Sequence, residues 1–198
     1  MGLDLEYIDS QTALDEDEKE GLLIKSISTR AELDEFEQQN IERAIAWTMK
    51  KRFKVKDILT EDFVRKLHKK MFDQTWRWAG EFRKSNKNIG VDKFQIGIEL
   101  KYLLDDCLFW IENKSFDEDE IAIRFKHRMV HIHPFPNGNG RHSRLIADVL
   151  AEHGFSNSVF SWGSGQLAPK SELRSNYLQA LFAADKDNYS PLIKFARR

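Results

Sequence analysis

At 198 residues the chain has the size of one domain with a single hydrophobic core, and its 41% hydrophobic and 32% charged residues exclude a wholly disordered polymer. Thirty-one basic residues against 32 acidic ones leave a net charge of −1, which excludes the chain-wide positive field of a nucleic-acid binder; any anion site must be local. The lone Cys107 rules out an internal disulfide and a thiolate zinc cluster. With no apolar run near the roughly 18 residues of a membrane span and no basic-then-apolar opening, a cytoplasmic protein is expected, with no membrane and no direct nucleic-acid partner.

The first twenty residues hold eight acids against Lys19 and read as a solvated lead-in, residues 1–28, ahead of a domain at 29–198. Thr29 and Glu32 form a capping box, and Leu33, Phe36, Ile41, Ala44, Ile45 and Trp47 recur with helical spacing, so the first long helix runs to about Arg52. Thr60 caps a second helix through Phe72. Leu100, Leu103, Leu104, Cys107, Leu108 and Ile111 share one face of a third. Ser115 or Asp117 starts a fourth that ends near His131, and Leu145, Ile146, Val149 and Leu150 mark another. Ser171 opens a later one through Ala184, and Ser190-Pro191 begins the last. Phe82 to Gln95 breaks the pattern. It lacks a helical apolar face, while Ile89, Gly90, Val91, Asp92, Lys93 and Phe94 suit a short hairpin; an ordinary connection and a binding loop are equally open readings of a segment this long.

The chemistry concentrates between Lys126 and Arg144, where four cations (Lys126, Arg128, Arg141, Arg144) and four histidines stand without one acid. Gly138-Asn139-Gly140 precedes a helix, so its backbone N–H groups can form an anion nest at a helix N-terminus. Arg141 and Arg144 project from one side of that first turn, where cations oppose the helix dipole and an anion between them would offset the cost. His133 stands just before the nest, and a neutral imidazole there is suited to taking a proton from a hydroxyl that attacks a bound phosphate. A rival reading uses His127 and His131, which are i, i+4 as in a zinc pair, with His133 as a third ligand. The metalloprotease pattern needs glutamate where Arg128 stands, which argues against that enzyme class.

The run His133-Pro134-Phe135-Pro136-Asn137-Gly138-Asn139-Gly140-Arg141-His142-Ser143-Arg144 resembles the signature of Fic-domain proteins, His-x-Phe-x-(Asp/Glu)-Gly-Asn-Gly-Arg-x-x-Arg, with seven of eight constrained positions in agreement. Trp78-Ala79-Gly80, Phe82-Arg83 and Ile89-Gly90 are similar to the approach to that family's flap, and Tyr177 through Ala184, Asp185 and Pro191-Leu192-Ile193 to its closing helices. The acidic opening and Trp162-Gly163-Ser164-Gly165 are similar to the bacterial subgroup labelled "mobile mystery protein B".

The resemblance implies an all-α fold with a short β-hairpin flap, and transfer of AMP from ATP to a Ser, Thr or Tyr hydroxyl of a target protein. It implies His133 as general base, Gly138, Asn139 and Gly140 as phosphate cradle with Asn139 orienting the α-phosphate, and Arg141 and Arg144 on the β- and γ-phosphates. It also implies a target-binding flap at Ile89 to Phe94, with Tyr177 and Asp185 as candidates for the adenine side; for Tyr177, packing on the Leu173/Leu181 face is the competing expectation. Asn137 stands where the family carries a Mg²⁺-binding carboxylate, so it is the metal candidate, a neutral donor with a weaker hold on a hard cation. A nucleotide-binding module without transfer activity is therefore the alternative. The family's inhibitory motif, (Ser/Thr)-x-x-x-Glu-(Gly/Asn), is absent, which points to unrestrained activity or a separate inhibitory partner, with Glu37 the best internal substitute.

Overall fold

The computed structural model describes residues 14–164 and 170–198, except the side chains of residues 170 and 171. The expected Ser171 cap therefore lies outside the described side chains. In chain order the helices are α1 (Glu16–Lys19), α2 (Arg30–Met49), α3 (Val55–Ile58), α4 (Glu61–Phe72), α5 (Ile96–Glu112), α6 (Glu118–Ile132), α7 (Asn139–Val149), α8 (Lys170–Ala184) and α9 (Ser190–Arg197); a single π-helical turn, Leu150–Gly154, extends α7.

Local chemistry starts these helices where the sequence indicates. Thr29 accepts from the Glu32 N–H while the Glu32 carboxylate accepts from the Thr29 N–H at 3.0 Å, so two otherwise unpaired donors at the head of α2 are satisfied. Thr60 caps α4 in the same sense through the Phe63 N–H at 3.1 Å. Proline follows Ser190 in the first turn of α9, where its missing N–H costs nothing.

Packing makes α6 the central element. It lies against α5, α7 and α9, while α2 packs on α4 and α8 on α9. Ile121, Ala122, Ile123, Phe125 and Met129 of α6 and Ile146 and Ala147 of α7 are buried in one continuous core. The lead-in joins that core from Leu14 onward instead of trailing in solvent. Leu14, Leu22 and Ile27 are buried, Leu22 pairs with Trp76 in an isolated β-bridge, and Lys87 holds Asp15 at 3.0 Å and Glu18 at 2.6 Å. The acids there are partners of the segment that follows α4, because a buried Lys87 requires compensating charge.

The expected β-hairpin does not form: among the described residues there are no strands. Between Phe82 and Gln95 the backbone groups find other partners. Arg83 N–H donates to the Pro134 carbonyl at 2.9 Å, Lys93 N–H to Asn86 Oδ1 at 2.8 Å and Phe94 N–H to Asp92 Oδ1 at 2.9 Å. Side-chain acceptors thus replace the cross-strand ladder, and the segment is a braced loop.

Among the buried histidines, three carry large shifts. Burial pushes His142 and His133 each down to about 4, and His68 well below the usual imidazole range. The unfolded chain binds these protons below about pH 6.5 and the folded chain does not, so stability should fall as pH drops from about 6.5 towards 4. The loss is about 2–3 kcal/mol each for His133 and His142 by pH 4.5. Urea midpoints measured between pH 7 and 4.5 check this; a flat profile would show that the imidazoles charge freely in the fold.

Candidate functional site

The segment from His133 to Gly140 is shaped by its backbone. His133 ends α6 in the left-handed region at φ 53°, and Gly138 opens α7 there at φ 76°, so the chain turns sharply twice within six residues. A Cβ on Gly138 would meet the Phe72 ring at 2.5 Å, so the glycine also lets the loop close onto α4. Asn139 spends both polar ends of its amide on Phe135, accepting from its N–H at 2.9 Å and donating to its carbonyl at 2.8 Å. This side chain, expected to orient an α-phosphate, ties the loop into a ring.

His68, which sequence reasoning passed over, locks that ring to the rest of the domain. Its Nδ1 accepts from the Gly80 N–H at 2.9 Å and its Nε2–H donates to the Asn137 carbonyl at 3.0 Å, with the ring stacked 3.7 Å from Phe135. His142 adds a donor bond to the Val64 carbonyl at 2.9 Å. Arg83, known from sequence only as part of the flap approach, is buried; its Nε–H donates to the His133 carbonyl at 2.7 Å and its Nη2 to the Val91 carbonyl, joining the expected flap to the catalytic candidate. Gly90 is needed at that contact. At φ 102°, it faces His133, and a Cβ there would stand 2.6 Å from that of His133.

These elements enclose one cavity of about 740 Å³, lined among others by His133, Asn137 to Arg141, Arg144, Ile89, Trp162 and Tyr177. A larger open groove of about 1250 Å³ lies elsewhere, but Asp117, Glu118, Asp119 and Glu120 line it and would repel phosphates. In the smaller cavity His133 is buried, and that burial, helped by the Arg83 and Lys87 cations against a hydrogen bond with the Val130 backbone, keeps the imidazole neutral. Tyr177 does face the cavity, though not as a free aromatic: its hydroxyl bonds the buried Lys126 ammonium, whose pKa burial lowers and the tyrosine partly restores. Trp162, read from the sequence only as part of a resemblance, is held by both carboxylate oxygens of Asp148 at 3.0 Å. Asp185, an expected adenine-side residue, is not among those that line the cavity; its carboxylate meets His127 and His131.

Arg141 and Arg144 behave differently. Among the described residues Arg144 Nε reaches the Gly140 carbonyl at 3.3 Å, whereas Arg141 Nη1 pairs with Glu37 Oε2 at 2.6 Å and its guanidinium lies 5.0 Å over Phe72. Glu37 is buried, and its other oxygen accepts from Trp76 Nε1 at 2.6 Å. The internal substitute suggested by the sequence therefore meets the first motif arginine. Asn137 offers one neutral oxygen, Oδ1, which already accepts from the Gly138 N–H at 2.5 Å. Such a donor fits Mg²⁺ only as a minor ligand beside phosphate oxygens.

Residues 58–151 match the model of the Fic/DOC family. Two curated relatives named protein adenylyltransferase Fic are similar over 120 residues, 59% of this chain: that of Aedes aegypti at 28% identity and that of Drosophila mojavensis at 29%, with 22% of each relative covered. The match thus spans under a quarter of the length of these relatives. Among solved structures, the BepC protein of Bartonella tribocorum with bound AMPPNP aligns at a TM-score of 0.66 and 17% identity, covering 87% of this chain and 88% of that one. The N-terminal Fic domain of Bep8 from Bartonella sp. 1-1C aligns at 0.65 and 15% identity, covering 88% of each. At these identities the structures show the shared fold. No helix of the described residues is long and apolar enough to cross a membrane.

The Glu37 carboxylate competes with any bound phosphate for Arg141 and adds a buried negative charge. Glu37→Gln keeps an acceptor for Trp76 and removes that charge, so ATP affinity should rise several-fold; calorimetry showing equal or weaker binding would make Glu37 a support for Arg141 instead.

Proposed function

We propose that the Fic/DOC family domain of this chain, residues 58–151, is a protein adenylyltransferase, using ATP with its Mg²⁺ as co-substrate and a Ser, Thr or Tyr hydroxyl of a target protein as acceptor. The observation that carries this reading is the convergence of His133, the Gly138–Gly140 backbone, Arg141 and Arg144 on one cavity. The curated relatives' name and the AMPPNP in BepC support it. The subgroup reading and a cytoplasmic, bacterial setting rest on the sequence alone.

The steps follow from what the side chains offer. Phosphates seat on the N–H groups at the head of α7, with the helix dipole and two guanidiniums opposing their charge. The acceptor oxygen attacks the α-phosphorus while its proton passes to His133, which is unprotonated at neutral pH. The bond from α-phosphorus to its bridging oxygen breaks, and pyrophosphate leaves with the electron pair beside Arg141 and Arg144. Positioning and charge stabilisation carry most of this chemistry. Asn139 contributes by holding the loop. The loop of Ile89 to Phe94 is where the target would dock, since Gly90 adjoins His133. A binding module with little transfer is the second reading, favoured by Arg141's engagement with Glu37 and by the neutral Asn137.

Incubation of lysate with α-labelled and, separately, γ-labelled ATP tests the proposal: protein should take label from the first only, and label from the second alone would mean phosphate transfer. His133→Ala should lower transfer on the order of 10²–10⁴-fold with ATP affinity unchanged, whereas Arg144→Ala should weaken both binding and turnover, because a phosphate clamp acts in ground and transition states alike.

The His133 environment further predicts where the acid limb of kcat/KM falls, near pH 4, well below that of an ordinary imidazole. A limb at 6 or above, in protein shown by circular dichroism to stay folded, would mean that His133 is solvated in the working state.

A further inference from the structure

Asp185 lies away from the nucleotide cavity, and the place it occupies has a chemistry of its own. His127 and His131, one turn apart on α6, present their rings 5.0 Å centre to centre. Asp185 is the first residue beyond α8, and its backbone is anchored there by a bond from its N–H to the Leu181 carbonyl at 2.9 Å. Its Oδ1 stands 2.8 Å from His127 Nε2 and 2.9 Å from His131 Nε2, and the three atoms all lie within 4.8 Å of one another. We propose that His127, His131 and Asp185 bind a divalent transition-metal ion of zinc's class, at a site separate from the cavity that holds the phosphate nest.

Two imidazole nitrogens with one carboxylate oxygen suit Zn²⁺, Co²⁺ or Ni²⁺, whereas Mg²⁺ and Ca²⁺ take oxygen ligands. Zinc bonds of about 2.0–2.1 Å set a tetrahedral edge of roughly 3.3 Å, so each nitrogen–oxygen pair needs to open by only about 0.5 Å to admit the ion. The second ring nitrogen of His127 is already supported. Its Nδ1 lies 3.3 Å from the Tyr189 hydroxyl, the kind of outer partner that orients a ligating imidazole and leaves Nε2 to the metal. His127 is buried, while the side chains of His131 and Asp185 are 64% and 39% exposed, so an ion can enter from solvent and keep water at its remaining positions. His133, the third ligand considered from sequence, belongs to the other site; Asp185 takes its place, from a residue 54 positions further along the chain than His131. The ion would tie the end of α6, which leads directly into His133, to the end of α8, the helix that carries Tyr177.

The test uses tag-free, full-length protein stripped with a chelator, without nucleotide, so its outcome is independent of any transfer activity. Titration with Co²⁺ should produce visible ligand-field bands that saturate at one equivalent, Zn²⁺ should displace them, and Zn²⁺ should raise the thermal unfolding midpoint; Mg²⁺ should do neither. The exposed His131→Ala and the near-isosteric Asp185→Asn should each weaken Co²⁺ binding by at least about tenfold and abolish the Zn²⁺-dependent stabilisation. Circular dichroism confirms that both variants fold. Absence of saturable binding in the parent, or binding of parental strength in both variants, would overturn the proposal.

Discussion

A single buried imidazole holds the candidate site together. His68 accepts from the Gly80 N–H with one nitrogen and donates to the Asn137 carbonyl with the other, so the turn after α4 and the loop before α7 are joined through one rigid ring. Both bonds can exist together only in the neutral tautomer with its proton on Nε2, because an imidazolium has no lone pair for Gly80. Complete burial enforces that form by penalising the charged ring. The stack on Phe135 then sets the height of the loop that Asn139 closes. Without this lock, the glycines on either side of Asn139 would have many conformations, and the turn between α6 and α7 would lose its fixed shape.

Charge is arranged around this frame with local compensation. Two arginines at a helix N-terminus oppose the macrodipole, and the fold answers them unequally. Arg141 is matched by Glu37, whose own burial is made tolerable by the Trp76 indole and the guanidinium together. Arg144 makes a backbone contact at its Nε, to the Gly140 carbonyl. The site therefore holds one arginine engaged by a carboxylate and another turned towards its own helix backbone. The same logic governs Lys87, where acids from the lead-in surround a buried ammonium beside the loop that faces His133.

Helices were legible in the sequence because their signals are local. A capping threonine, a recurring apolar face and a proline in the first turn act within a few residues, and α2, α4, α5, α6, α7 and α9 lie where those signals put them. The expected hairpin fails to form for a related reason. Ile89 and Val91 have strand-like propensity on either side of a turn-forming Gly90, but Asn86 and Asp92 capture the backbone N–H groups that a second strand would have used, and Arg83 takes the Val91 carbonyl. The π-helical turn at Leu150–Gly154 had no comparable signal, and neither did the burial of the acidic lead-in from Leu14 onward.

By itself the sequence determined the contiguous chemistry: His133, the nest from Gly138 to Gly140 and the arginines at the start of α7 are close in space because they are close in the chain. Only the tertiary structure decided which distant groups meet them. Nothing in the spacing of Glu37 and Arg141, 104 positions apart, or of His68 and Asn137, 69 apart, announces a contact, and Asp185 looks equally able to serve the cavity or the far side of α6 until α8 is packed. Short-range order follows from the backbone's own hydrogen-bonding and steric rules, whereas these pairings depend on how helices with interchangeable apolar faces choose one another. That choice is settled collectively, by burying the core without leaving a charge or a polar group unmatched.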